Sequence, residues 1–181
     1  MRRLVLLLTL CLSAPAGIAV ASGADPRDLM PSERVVGGGF QTVRTSILSP
    51  ARVVENQPDV AASDVASASV REFRRRTRAG VAETAFVSAY VFTSRRAAKA
   101  YFAHATETFP AKDEIAAEIM GEATAVRRNR YSDGARRWHN LQLLSVDRYE
   151  VWQVTVARER STRRPFVETA VGIARRIAAR N

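Results

Sequence analysis

The chain has 181 residues, 28 of them Lys or Arg against 18 Asp or Glu, and a single cysteine. That length suits one ordinary hydrophobic core. Cys11 falls inside an apolar N-terminal run, so the remainder offers no disulfide, no thiol nucleophile and no thiolate metal site.

The chain opens with Arg2 and Arg3, an apolar stretch from Leu4 to Leu12, Pro15, and the small-x-small triplet Ala19-Val20-Ala21. This is the pattern of a cleavable secretory signal over residues 1–21, with Ser22-Gly23-Ala24 as a second cleavage candidate. An uncleaved membrane anchor is the rival reading, because Leu4 to Ala21 is just long enough to span a bilayer. Leu10 precedes Cys11 where a lipidation signal needs a small residue. Without the two leader arginines the charge is 26 − 18 = +8, nearly all of it Arg, since only Lys99 and Lys112 are lysine. An exported chain of that charge is drawn to acidic lipid, wall polymer or an acidic protein partner, and the draw weakens with salt. Nucleic acid in the cytosol is out of its reach.

Residues 22–48 read as an N-terminal loop and strand region, and 49–181 as the main part of an α+β domain, with 22–181 one domain overall. Asp25 to Gly39 suggests a helical turn and then a loop. Phe40 to Leu48 suggests a strand, Ser49 to Pro58 a connection and Asp59 to Ala66 a short helix. The stretch Arg71 to Gly80, REFRRRTRAG, holds five arginines. Arg71 and Arg75 share one strand face with Phe73, while Arg74, Arg76 and Arg78 share the other. It reads as an arginine-rich edge strand in preference to a polymer-binding site.

Val81 to Thr93 is rich in aromatic and β-branched residues, apolar on both faces, and predicts a central strand covered on both sides. Ser94 caps a helix whose stripe is Ala98, Tyr101, Phe102, Ala105 and Phe109, with Phe102 at its centre. Pro110 restarts a second helix that stops at Gly121. Glu122 to Tyr131 then predicts a strand, Asp133-Gly134 a two-residue hairpin turn, and Trp138 to Val146 the return. Asp147-Arg148 turns the chain again into Tyr149 to Ala157. Pro165 to Arg180 predicts a closing helix. Phe166, Ala170, Ile173, Ala174 and Ile177 form its buried stripe, and Arg175, Arg176 and Arg180 complement its negative end. The order implies α+β: a largely antiparallel sheet with a mid-chain helix and a C-terminal helix packed on it.

The succession AFVSAYVFTSRRAAKAYFAHATETF, GEATAV and YEVWQVTVARE, closed by a helix, resembles a class of small exported actinobacterial domains. The extracellular sensor domain of a mycobacterial serine/threonine kinase is similar. The resemblance spans Val81 to Ile177 and rests on packing motifs. It implies a binding or sensing domain and transfers no catalytic residue. The kinase domain is stapled by disulfides, which this chain cannot form.

No G-x-S-x-G elbow and no phosphate-cradling loop occurs. Gly37 to Gly39 reads as a flexible loop, and Glu114 and Glu118 as a solvated face. His104 and Glu107 stand at i, i+3 on a helix, but a metal needs more ligands and only His139 remains as another imidazole. A hydrolase-type enzyme would have to combine His104 and His139 with carboxylates. No metal or cofactor is implied. The better candidate is a ligand-binding hairpin tip, where Arg127, Arg128, Arg136 and Arg137 gather around Tyr131 and Trp138. Arginines interleaved with aromatic rings hold anions and stack planar groups. The expectation is an exported, non-enzymatic envelope domain that binds a ligand or partner, with electrostatic capture of an anionic polymer or lipid as the alternative.

Overall fold

Apolar residues on both sides of the strand after Gly80 require cover on both sheet faces, and the architecture meets that requirement. The computed structural model describes residues 26–76, 78, 80–108, 113–114, 120–133, 136–159 and 167–179, with backbone alone at 26, 113, 114, 129, 131–133, 136 and 167. The expected leader lies outside the described residues.

A 3-10 turn at Pro26–Leu29 and the one-turn helix α1 (Glu33–Val36) lead into β1 (Gln41–Ile47). A short helix α2 (Pro50–Val53) and a 3-10 turn at Ala62–Asp64 precede β2 (Val65–Arg76), β3 (Ala82–Phe92) and α3 (Arg95–Thr108). Then follow β4 (Asp113–Glu114), β5 (Ala123–Asp133), β6 (Arg136–Asp147), β7 (Glu150–Glu159) and α4 (Val167–Ala178). The strands form one sheet in the order β1-β2-β3-β7-β6-β5-β4. Every neighbouring pair is antiparallel. This is the α+β arrangement expected, with its mid-chain and C-terminal helices.

Side chains alternate along each strand, so each face has its own core. On the α4 face, Phe73, Val87, Leu141, Leu143, Val154 and Val156 are buried against Ala170, Ile173, Ala174 and Ile177, with Met30, Val36 and Phe40 from the N-terminal segment. On the α3 face, Tyr90, Phe92, Leu144, Val146 and Val151 meet Ala97, Ala98 and Tyr101, with Val53 and Val60 beside them. Each large side chain so buried contributes about 1.5–3 kcal/mol. β3 stands third in the sheet with both faces covered, as its sequence demanded.

Ser94 caps α3: its Oγ accepts from the Ala97 N–H at 3.1 Å. The centre of the helix stripe differs from expectation. Tyr101 is buried and touches both the Tyr90 and Phe92 rings at centroid distances of 5.0 and 5.2 Å, whereas Phe102 is only partly buried. The spacing of the stripe put Phe102 at its centre, but the helix is turned so that Tyr101 takes that place and Phe102 lies on the flank.

Four other expectations are corrected. Asp59 to Ala66 is not a helix; only Ala62–Asp64 makes a 3-10 turn and β2 begins at Val65. The arginine-rich strand is not at an edge: β2 pairs with β1 on one side and β3 on the other. Within the expected helix from Pro110 to Gly121, Asp113 and Glu114 pair with Arg128 and Arg127 as a strand, and residues 109–112 and 115–119 lie outside the described residues. The two aspartates expected in hairpin turns stand in the ladder instead. Asp133 pairs with Arg136 and Asp147 pairs with Glu150, so each Asp ends its strand. Gly121 does fill a glycine position, with φ 71° and a missing Cβ that would lie 2.6 Å from the Val146 carbonyl oxygen.

Candidate functional site

The arginine run on β2 meets two buried carboxylates. Glu72, with its side chain 5% exposed, accepts from Arg44 at 2.8 Å and from Arg74 at 2.7 Å, while both arginines stay mostly in solvent. Glu83 is fully enclosed and lies between Arg75 and Arg158, bonded to both. A carboxylate so buried is tolerated only because the guanidinium forks satisfy its oxygens. Arg75 also donates to the Gly38 carbonyl at 2.6 Å. Arg71 donates to Thr45 Oγ1 at 2.7 Å and to the Pro31 carbonyl at 2.9 Å. The run is therefore largely a set of ties between β2 and its surroundings. Each buried acid is nonetheless matched by two arginines, so positive charge is left in surplus.

That surplus borders a groove of about 680 Å³ lined by Gly39, Gln41, Arg74, Arg75, Arg76, Ala82, Glu83, Thr84 and Trp138. Strand parity places Arg74, Arg76, Ala82, Thr84 and Trp138 on the α3 face, at the end of the sheet away from α3. Arg74 and Arg76 are exposed, and Thr84 and Trp138 half-buried. The groove thus crosses the strands and offers two guanidinium groups, a hydroxyl and an indole. Such a surface suits an extended anionic ligand carrying hydroxyls or rings.

On the opposite face the same end of the sheet carries a cross-strand row: Arg75, Glu83, Arg158, His139 and Arg130, one from each of β2, β3, β7, β6 and β5. Burial, then Arg130 and Arg128, hold the His139 imidazole below its ordinary pKa, so it is neutral at pH 7.

No protein-family model matches this sequence, and no curated protein matches it. Among solved structures the chain is weakly similar to the extracellular domain of PknH from Mycobacterium tuberculosis, at TM-score 0.49 and 11% identity, over 87% of this chain and 95% of that one. No residue role passes across it.

Among the described side chains expected at the hairpin tip, Arg127 and Arg128 stand well along β5 from Arg137. Arg137 pairs with Ser132, five residues along β5 from Arg127, a separation of about 17 Å at the usual strand rise. Arg128 and Arg137 fall on the α4 face, Arg127 and Trp138 on the α3 face. Tyr131 stands opposite Trp138 in the ladder, and Arg136 opposite Asp133; their side chains lie outside what is described. Of the four whose side chains are described, Trp138 alone lines the groove. His104 is on α3 and His139 on the α4 face, so the sheet separates them. Among the described residues no three His, Cys, Asp or Glu side chains come together as a metal site. Gln41, Arg74, Arg76 and Thr84 were missed as site residues. Their only signal was the spacing of Arg74 and Arg76, two apart on a strand, beside a threonine that the hairpin brings opposite Arg74.

Proposed function

We propose that this chain is an extracytoplasmic, non-enzymatic binding domain that holds a chain of an anionic envelope polymer in the groove across the sheet. The carrying observation is the groove itself, with Arg74, Arg76 and Trp138 on one open face. Export is supported by Arg2, Arg3, the apolar run and Ala19-Val20-Ala21. Among the described residues no helix is long and apolar enough to cross a membrane. Phosphate or carboxylate groups would take the Arg76 guanidinium and the N–H groups of Arg74 that do not face Glu72, and a sugar ring would lie on the indole.

The test compares Arg74→Ala/Arg76→Ala with the charge-matched control Arg34→Ala/Arg96→Ala, whose arginines are exposed on α1 and α3. Binding to purified anionic wall polymer and to acidic lipid vesicles is titrated at two salt concentrations. The groove variant should bind the polymer more weakly and with a smaller salt slope, because fewer counterions are released. The control should keep the wild-type slope. Equal loss in both variants means a diffuse charge effect. Binding to vesicles but not to polymer means that the ligand is a lipid headgroup.

A further inference from the structure

A second concavity lies on the α4 face, at the far end of the sheet from the charged row. It encloses about 280 Å³. Its apolar lining includes Met120, Trp152, Val154 and Ile177, all nearly or fully buried. Ser145, Asp147 and Arg148 line it as well, and both charged residues are exposed. The cleft therefore has an apolar floor and a charged mouth. Small-molecule sites have this composition, and its size is just below the usual range of about 300–1,000 Å³.

Two features set its chemistry. First, Trp152 cannot serve as a donor, because its Nε1–H is given to Glu150 Oε2 at 2.9 Å. Its ring is left as an apolar surface that also attracts cations. Second, among the described residues neither the Asp147 carboxylate nor the Arg148 guanidinium takes part in a hydrogen bond or ion pair. The mouth thus presents one free negative and one free positive group, adjacent in sequence. Their backbone is fixed. Arg148 has φ 49°, a left-handed conformation uncommon for a residue with a side chain. Its N–H is held by Glu122 Oε1 at 3.2 Å, and Glu122 is anchored by Arg95 and Lys99 at 2.9 Å each.

We infer that this cleft binds a small zwitterion with an apolar body, of the class of an apolar amino acid. Its ammonium meets Asp147 and the face of Trp152, its carboxylate meets Arg148, and its side chain lies on Met120, Val154 and Ile177. A simple cation would face Arg148, and a simple anion would face Asp147. A neutral apolar ligand would use neither charge. A dinucleotide or other large cofactor exceeds the volume. This site is separate from the groove, and its test succeeds or fails without reference to it.

The experiment uses the full mature chain with Trp138→Phe, which leaves Trp152 as the one remaining tryptophan. Leucine and phenylalanine, in both hands, are titrated by Trp152 fluorescence and calorimetry. Isoamylamine and 4-methylpentanoate serve as singly charged analogues of leucine. Binding of at least one amino acid at millimolar concentration is expected, with both analogues weaker by about tenfold or more, the usual worth of a charged hydrogen bond. Asp147→Asn should bring leucine down toward 4-methylpentanoate, and Arg148→Gly, which suits the left-handed backbone, should bring it down toward isoamylamine. Ala178→Phe, placed on an exposed residue lining the cleft, should abolish binding; circular dichroism shows whether each variant is folded. The inference is overturned if no amino acid binds, if the analogues bind as well as leucine, or if a folded Ala178→Phe variant binds unchanged.

Discussion

The guanidinium of Arg75 lies 4.4 Å from the centre of the Phe40 ring. Phe40 belongs to the N-terminal segment and Arg75 to the sheet, so this contact seats the first residues of the fold on the α4 face. The same side chain ties Gly38 and Glu83. Replacing Arg75 with Ala removes the stacking and half the neutralisation of a buried carboxylate. The variant should lose on the order of 3 kcal/mol, the lower end of the range for breaking a buried pair because Arg158 remains. Urea denaturation at pH 7 measures it. Arg75→Lys should recover only part, since an ammonium cannot reproduce the fork.

Tyr101 and Phe102 are neighbours with different duties. Tyr101→Ala opens a cavity against Tyr90 and Phe92 and should cost about 3–5 kcal/mol, while Phe102→Ala, partly exposed, should cost about half as much or less. Thermal melts of the two variants side by side decide it. A larger loss at Phe102 would mean that α3 is rotated from the position described here.

Glu122 ties α3 to the β6–β7 turn: Arg95 and Lys99 of α3 and the backbone N–H of Arg148 all bind it. Those bonds hold its carboxyl down to about 2. A lowered folded pKa means that its stabilisation is fully present above the unfolded value near 4.3 and is lost as pH falls from there toward 2. The stability gap between wild type and Glu122→Gln should therefore be constant above about pH 5 and close on acidification. Denaturation of both proteins at a series of acid pH values reads the gap directly.

His139 works in the opposite sense from a histidine that gains an acidic partner. Its folded pKa lies below the unfolded value of about 6.5. Between the two, the unfolded chain binds more protons, so stability falls as pH drops below about 6.5 and stops falling once the folded imidazole also protonates. His139→Gln should remove that part of the pH dependence. Titration of the ring by NMR should place its midpoint below 6.5; a midpoint above it would mean that Arg128 and Arg130 do not face it.

The sequence made plain those elements whose burial follows a local period. β3, the cap at Ser94 and the stripe Ala170, Ile173, Ala174 and Ile177 are of this kind. It misled where a distant partner decides. Arg71 to Arg76 looked like a solvated edge because nothing nearby announces that Glu72 and Glu83 will be buried among arginines from other strands. Asp113 and Glu114 follow the helical pattern of their neighbours, yet pairing with β5 overrides it. The groove could not be read at all. Its residues come from four strands, and β7 lies between Thr84 and Trp138. Trp138 does line the groove, but the arginines beside it there, Arg74 and Arg76, are distant from it in sequence.

The pairing of β3 with β7 divides the sheet into two meanders, β1-β2-β3 and β4-β5-β6-β7, each zipped by short-range hairpins. Only this seam joins them within the sheet, and its ends are far apart in the chain: Glu83 and Arg158 are 75 residues distant. Closing so long a loop carries its entropic cost before any of the inter-meander core rewards it. The seam is therefore expected to form after the two meanders, with the Arg75–Glu83–Arg158 clasp closing its end. Until it closes, each meander carries an open strand edge, and the clasp then holds the two together through one buried carboxylate between two arginines.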